Sequence, residues 1–161
     1  MKKSRNTIII IVVLLTLLTL ISFKGRKHTF SSNGITVTLT SKFKSQKVSG
    51  AQVAYLTRKV GFMGNRDNKA FTFCSTLEGY TKKVVAAANL KDVEIFKYDE
   101  DGVTFMYAYY STTVNNIRYK YMLVTKEGDN YYYTMNFWSL EKNFKKYEKQ
   151  FMKWAKTIVV E

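Results

Sequence analysis

The sequence predicts an α+β fold, in which an antiparallel β-sheet of a four-strand meander plus N-terminal strands packs with two helices. Two observations predict this domain. Residues 92–138 contain four stretches rich in β-branched and aromatic residues, separated by three short turn sequences. Residues 139–160 then repeat apolar side chains at helical spacing. A third observation, an uncharged apolar stretch near the N-terminus, predicts one transmembrane helix ahead of the domain.

The N-terminal segment, residues 1–27, is predicted to be a membrane anchor with basic flanks, so its predicted partner is the lipid bilayer. Residues 7–23 carry no charge and are almost entirely Ile, Val, Leu and Thr. As a helix with a rise of ~1.5 Å per residue, this stretch would reach ~26 Å, close to the ~30 Å hydrocarbon core. The anchoring residues that we single out are Ile8, Ile11, Leu14, Leu18 and Ile21.

A cleaved signal peptide is the alternative for the same segment. Cleavage sites carry small residues in an A-x-A-like pattern, whereas Leu20-Ile21-Ser22 has a leucine where a small residue is needed. The uncleaved anchor is therefore favoured. The basic flanks nearly balance, so the positive-inside rule does not set the orientation. Because an apolar segment this close to the N-terminus usually directs export, we expect the domain to lie outside the cytoplasm.

Residues 28–33 are expected to form a short spacer, and residues 34–161 a single domain large enough to bury its own core. A helix is predicted from Ser75 to about Ala88, because Ser75 and Glu78 fit a capping box. The three strands predicted before the meander cover residues 34–40, 50–58 and 69–74.

The meander is predicted from its turns. The turn at 99–102 ends in Asp-Gly, and the next is Asn115-Asn116; Gly and Asn both tolerate positive φ. Neither face of the strands is cleanly polar, so we expect cover on both faces. Ser139 is the expected N-cap of the closing helix. The predicted meander strands cover residues 92–98, 103–112, 117–125 and 131–138. The apolar stripe of the closing helix contains Leu140, Phe144, Tyr147, Phe151, Trp154 and Ile158.

The chain is strongly basic, with 26 Lys and Arg against 12 Asp and Glu and a net charge of +14. Without the three basic residues before the apolar stretch, 23 basic side chains face 12 acidic ones, a net charge of +11. Such a surface attracts polyanions. A solvated Lys-rich surface is the simpler interpretation; anionic lipid or a cell-envelope polymer is the partner if the charge has a role. Nucleic acid is not expected, because the chain lacks helix-turn-helix, zinc and aromatic RNA-binding motifs.

Catalysis, cofactors and metals are not expected. His28 is the sole histidine and lies beside the apolar segment, which removes histidine-based triads and histidine metal sites. Cys74 is the sole cysteine, so no internal disulfide forms and a buried structural thiol is the expected role. The acidic residues at 99–101 lie in a predicted turn, with too few further oxygen ligands for calcium.

Residues 58–68 are predicted to form a long hairpin loop that holds the candidate contact site. Backbone N–H groups at Gly61 and Gly64, with basic side chains nearby, could hold an anion; an unliganded loop is the simpler alternative. The residues that we single out for a partner or anion contact are Arg58, Lys59, Phe62, Met63 and Arg66. An aromatic wall on the sheet is expected to be core under a helix, with carbohydrate or flat-ligand binding as the alternative. That wall contains Tyr119, Tyr121, Tyr131, Tyr132 and Tyr133.

The order of these predicted elements resembles the PsbP/Mog-type fold, an antiparallel sheet between helices. The resemblance covers about residues 34–160 and includes the opening strand Gly34-Ile35-Thr36-Val37-Thr38-Leu39 and the stretch Gly102-Val103-Thr104-Phe105-Met106-Tyr107. It implies an exported or membrane-anchored bacterial protein without known enzymatic activity, and it implies no functional residue. The chain departs from the family in having Thr40-Ser41-Lys42-Phe43 where a proline usually follows the first strand, and in lacking a lipidation cysteine.

We therefore expect a membrane-tethered, extracytoplasmic domain that binds rather than catalyses, an accessory protein in function. A carrier or binder of a small or polyanionic ligand is the first alternative. An immunity-type protein that binds another protein is the second, and an enzyme is the weakest. A ligand-sized pocket between sheet and helix would favour the carrier, whereas an exposed Phe62-Met63 patch would favour protein binding.

Overall fold

The computed structural model describes residues 25–90 and 92–161, which form two antiparallel sheets and three helices. The first half contains β1 (Lys27–Ser32), β2 (Ile35–Thr40), β3 (Lys44–Ser45), β4 (Val53–Leu56), β5 (Val60–Asn68), α1 (Lys69–Thr72) and α2 (Leu77–Ala87). The second half contains β6 (Ile95–Glu100), β7 (Val103–Val114), β8 (Ile117–Glu127), β9 (Tyr131–Leu140), α3 (Glu141–Ala155) and β10 (Val159–Val160).

The predicted meander is confirmed as part of a seven-stranded sheet in the order β3-β4-β5-β9-β8-β7-β6. Its two tight turns, Asp101-Gly102 and Asn115-Asn116, have both residues at positive φ, between 50° and 73°. Such turns match the twist of the strands that they join. Three strands run longer than predicted: β7 reaches Val114, β8 reaches Glu127 and β9 reaches Leu140. The first predicted strand instead begins at Ile95 and includes Asp99 and Glu100, so the prediction that these two residues lie in the turn is wrong.

Both faces of this sheet are covered, as the mixed strand faces predict. α3 lies across one face, where the ring of Phe137 is 5.6 Å from that of Phe151 and 6.1 Å from that of Trp154. α2 covers the other face, where Tyr80 stacks on Tyr132 with ring centroids 4.6 Å apart. The result is a three-layer α/β/α arrangement around one large core cluster and one smaller one.

The second sheet has the order β1-β2-β10 and lies beside α3 over the main core. Alternate residues of β2, namely Ile35, Val37 and Leu39, are buried. The C-terminal residues return to this sheet after α3, and the hydroxyl of Tyr133 donates to the backbone oxygen of Glu161 at 3.0 Å. The first and last strands of the described residues, β1 and β10, therefore flank β2 in one sheet.

The expected spacer at residues 28–33 is instead part of β1 and of the turn that leads into β2. Phe30 is half-buried, and the other five side chains of β1 are exposed. A strand that is exposed on both faces has no polar and apolar alternation, so the sequence carries no period-2 signal there.

The predicted loop at 58–68 is wrong. Most of it is β5, an interior strand of the main sheet, paired with β4 on one side and β9 on the other. The predicted strand at 69–74 is also wrong, because Lys69–Thr72 is the short helix α1, capped by the side chain of Asn68. The strand predicted at 50–58 shortens to Val53–Leu56.

Both longer helices begin one residue later than the predicted caps imply. Thr76, not Ser75, caps α2, and its hydroxyl oxygen accepts from the N–H of Gly79 at 3.1 Å. α3 begins after Leu140 without a side-chain cap, and Ser139 stays buried in β9.

The anchor predicted at residues 1–27 lies largely outside the described residues, and so do its five singled-out positions. Across residues 25–90 and 92–161, no helix has the length and apolar character needed to cross a membrane.

Candidate functional site

A pocket of about 430 Å³ lies between the β2–β3 connection, the β4–β5 turn and α3; we call it the basic pocket. Its walls combine cationic side chains with aromatic ones and contain no acidic residue. The lining residues are Thr40, Lys42, Phe43, Thr57, Arg58, Lys59, Val60, Lys146, Tyr147 and Trp154.

The floor of the basic pocket is aromatic and fixed by the core. Phe43 and Trp154 are 2% and 7% exposed, and their rings meet edge to face at 5.2 Å. Trp154 is held from behind by Phe137 and Phe151, with centroids 6.1 Å and 5.9 Å away. Because these side chains are packed on several sides, the floor is preformed and does not depend on a ligand.

The rim of the basic pocket is set by a tight turn and by α3. The hydroxyl oxygen of Thr57 accepts from the N–H groups of Lys59 and Val60 at 3.1 Å and 3.0 Å. This turn projects the side chains of Arg58 and Lys59 into solvent beside the pocket. Lys146, on the exposed side of α3, completes the opposite rim.

Four cations thus converge on one apolar floor: Lys42, Arg58, Lys59 and Lys146. Within the described part of the chain, the ion pairs join other lysines and arginines to carboxylates, and none involves these four. Like charges without counter-charges repel one another, so an anion bound among these side chains would reduce their repulsion. An apolar floor below such a rim suits a ligand that has both an anionic group and an apolar part.

The structure divides the predicted contact residues among different places. Arg58 and Lys59 lie on the basic pocket. Phe62 is fully buried, with ring centroids 5.0 Å from Phe137 and 6.0 Å from Tyr55, so its predicted exposure is wrong.

Met63 and Arg66 lie farther along β5, outside the basic pocket. Met63 is half-buried and pairs with Asn136. Arg66, about 20 Å from the pocket at ~3.3 Å per strand residue, has its guanidinium 4.5 Å from the ring of Tyr131.

The two glycines do not form an anion-binding loop, because β5 is paired through both of them. Gly61 pairs with Trp138 and Gly64 with Met135. A side chain at Gly61 would overlap the indole of Trp138, and one at Gly64 would lie 2.7 Å from Ile35. These glycines therefore allow close packing against the strand.

The sequence did not indicate that Lys42 and Lys146 join Arg58 and Lys59 around one pocket. It also did not indicate that Phe43 and Trp154 form the floor of that pocket. The pattern of the closing helix identifies Trp154 only as a core residue. The available signal was Lys146 next to Tyr147, where the basic flank of α3 meets its aromatic stripe.

The predicted aromatic wall is divided between interior and half-buried positions. Tyr132 and Tyr133 are buried in the core, as predicted, whereas Tyr119, Tyr121 and Tyr131 are half-buried. Tyr132 stacks on Tyr80, and burial, reinforced by a hydrogen bond to Asp67, raises the pKa of Tyr80.

Other surfaces carry less concentrated chemistry. A groove of about 800 Å³ runs between β1 and the β3–β4 edge, and Lys47 and His28 are among its lining residues. Phe71 and Phe73 around α1 are 77% and 93% exposed. Cys74 is half-buried and follows this helix, not a strand. Among the described residues, no group of three or more His, Cys, Asp or Glu side chains is placed to hold a metal ion.

Comparison with solved structures identifies the fold. No protein-family model and no curated protein matches the sequence. The structure is similar to cyanobacterial PsbP (CyanoP) from Synechocystis sp. PCC 6803, with a TM-score of 0.59 and 13% identity over 84% of this chain and 92% of that one. A Bacteroides thetaiotaomicron structure gives a TM-score of 0.55 and 9% identity over 86% of this chain and 49% of that one.

PA94 from Pseudomonas aeruginosa, a protein of unknown function described as a candidate regulator, gives a TM-score of 0.53 and 11% identity. The match covers 85% of this chain and 99% of that one. At these identities the likeness establishes the fold alone, and that fold is PsbP-like.

Proposed function

We propose that this protein is a non-catalytic binding module, held at a membrane by its N-terminal apolar segment, whose basic pocket binds an anionic amphiphile. The observation that carries the proposal is the convergence of four cations without carboxylate partners on the Phe43–Trp154 floor. A phosphate or carboxylate between the cations would gain charge-assisted hydrogen bonds. An apolar tail would cover the rings of the floor.

The pocket has the size that this ligand class requires. Its volume of about 430 Å³ lies within the ~300–1,000 Å³ range of small-molecule sites. A solvated Lys-rich surface, the simpler interpretation of the net charge, would not require a preformed aromatic floor among the lysines. The shape of the site therefore favours a ligand over general surface charge.

The proposal is tested by calorimetric titration of a chain that starts at Gly25, which keeps every residue of the core clusters. The probe is hexyl phosphate, with hexanol and inorganic phosphate as its separate halves. We expect saturable binding of hexyl phosphate and much weaker binding of either half. Equal binding of hexanol would contradict the proposal, because the cations would then contribute nothing.

Two triple variants locate the binding. The pocket variant is Arg58→Gln, Lys59→Gln and Lys146→Gln. The control variant is Lys69→Gln, Lys82→Gln and Lys97→Gln, which removes the same charge from lysines that already pair with carboxylates. We expect the pocket variant to lose about tenfold or more in affinity, since each charged hydrogen bond contributes ~1.5–3 kcal/mol. An equal loss in the control variant would show that net charge, not the pocket, binds the probe.

A further inference from the structure

We propose that the amphiphile bound by the basic pocket is an anionic phospholipid of the membrane that holds the N-terminus, with its phosphate between the cations. This inference rests on the proposed function and names its ligand. It makes the pocket end of the domain a membrane-docking surface.

The described chain begins beside a wall residue of the basic pocket. Gly25 lies against Thr40, and Lys27 pairs with Thr40 across β1 and β2. Thr40 is itself a wall residue of the basic pocket. The apolar segment therefore joins the domain at the pocket end of the sheet.

The connection between the apolar segment and β1 is short. The apolar segment ends at Phe23, four residues before Lys27. Four residues span at most about 14 Å, and a paired strand residue adds about 5 Å. The wall of the pocket thus lies within about 20 Å of the end of the apolar segment. A headgroup layer of roughly 5–8 Å lies beyond the hydrocarbon core, so the domain can rest on it without unfolding.

The pocket end of the domain is basic beyond the basic pocket itself. A second cavity of about 410 Å³ adjoins the basic pocket and shares Thr40 and Trp154 with it. It adds Lys27 and Lys153 to the cations around the shared wall. Arg26 is exposed next to them. Within residues 25–90 and 92–161, these three cations also form no ion pair. Six cations therefore line the two cavities that share Thr40, and the exposed Arg26 is next to one of them in the sequence.

The β7–β8 hairpin carries exposed apolar residues at the same end of the domain. Val60 and Lys120 both pair with Ser139, which sets one level across the sheet. The β7–β8 hairpin continues three residues past Lys120 to Ile117, about 10 Å at ~3.3 Å per residue. Val114 and Ile117 pair there with 48% and 47% of their surface exposed. Exposed apolar residues beside a basic surface are typical of proteins that rest in the membrane interface.

The opposite end of the sheet has different chemistry. β5 reaches Asn68 about 26 Å from Val60, and the acidic residues at 99–101 and Glu127 lie toward that end. Glu127 and Asp99 pair there with Lys69 and Lys97, whereas Glu100 and Asp101 form no ion pair within the described residues and would be repelled by an anionic surface. The same end carries the exposed Phe71 and Phe73, which makes it the alternative membrane contact that a test must separate.

The test uses the full chain in nanodiscs, with a nitroxide label at Ile117→Cys or at Phe73→Cys, each in a Cys74→Ser background. Power-saturation EPR compares accessibility to oxygen and to a water-soluble nickel complex. In discs that contain phosphatidylglycerol, we expect the label at 117 to be in the interface and the label at 73 to be in water. In discs of phosphatidylcholine alone, the label at 117 returns to water.

The two triple variants separate the pocket from general charge in this assay too. Each cation near an anionic surface contributes about fivefold, so the pocket variant should lower the ratio of docked to undocked domain about 150-fold. The control variant should leave that ratio unchanged. A label at 117 that stays in water, a label at 73 that enters the interface, or equal behaviour in both lipids would overturn the inference. If hexyl phosphate still binds in those cases, the proposed function stands and the lipid assignment alone fails.

Discussion

Replacing Phe62 by alanine tests whether β5 is an interior strand. Phe62 has no exposed surface and lies against Phe137 and Tyr55. Truncation of a buried phenylalanine costs ~3–5 kcal/mol, because transfer free energy is lost and a cavity remains. The aromatic pairs contribute ~0.5–1.5 kcal/mol of this. We therefore expect Phe62→Ala to lower the free energy of unfolding by about 4 kcal/mol, which lowers Tm by roughly 8–16 °C in a domain of this size.

The assay is urea unfolding of the chain that starts at Gly25, followed by tryptophan fluorescence and circular dichroism. Met63→Ala is the matched control, because Met63 is the next residue of β5 and is half-buried on the opposite face. We expect it to cost about 1 kcal/mol, near the centre of measured single substitutions. A loss below about 1 kcal/mol for Phe62→Ala would refute the reasoning, since an exposed loop residue costs ~0.5 kcal/mol or less.

Two further predictions concern stability. Burial raises the pKa of Tyr109 to about 12 from its ordinary 10.0, so unfolding releases a proton between these pH values and stability falls as pH rises through them. Urea midpoints measured from pH 10 to pH 12 should fall less steeply in Tyr109→Phe, and identical slopes would exclude this contribution. Gly61→Ala should cost about 1–3 kcal/mol because the added methyl overlaps the indole of Trp138. The cost should shrink when Trp138→Leu is combined with it, and an unchanged cost would show that the overlap is not the cause.

The parts of the fold that the sequence predicts are those with local causes. The meander follows from Asp101-Gly102 and Asn115-Asn116, whose positive φ is a property of the turn itself. The sequence does not predict β5, because Gly61 and Gly64 are residues that are typical of loops. The structure needs glycine at these positions for tertiary packing, since the side chains of Trp138 and Ile35 leave no room for a Cβ atom. The sequence does not predict β1 for a different reason: its side chains are mostly exposed, so polar and apolar residues do not alternate along it.

Two of the four cations of the basic pocket could be predicted from the sequence. Arg58 and Lys59 stand out as basic residues between two strands, and they do lie in a tight turn. Lys42 and Lys146 are over a hundred positions apart in the sequence, and the packing of α3 beside the β2–β3 connection brings them to one pocket. No pattern in the sequence encodes that proximity. The prediction of an exposed Phe62-Met63 patch is wrong, because the side chain of Phe62 is buried in the core.

The location of hexyl phosphate on the protein tests the central claim most directly. Intermolecular NOEs can be measured between its alkyl protons and the two indole rings of the chain that starts at Gly25. We expect contacts from the alkyl chain to Trp154 and Phe43 and none to Trp138, which lies against Gly61 and Tyr121. Contacts to Trp138 or to the exposed Phe71 and Phe73, with none to Trp154, would contradict the basic pocket as the binding site.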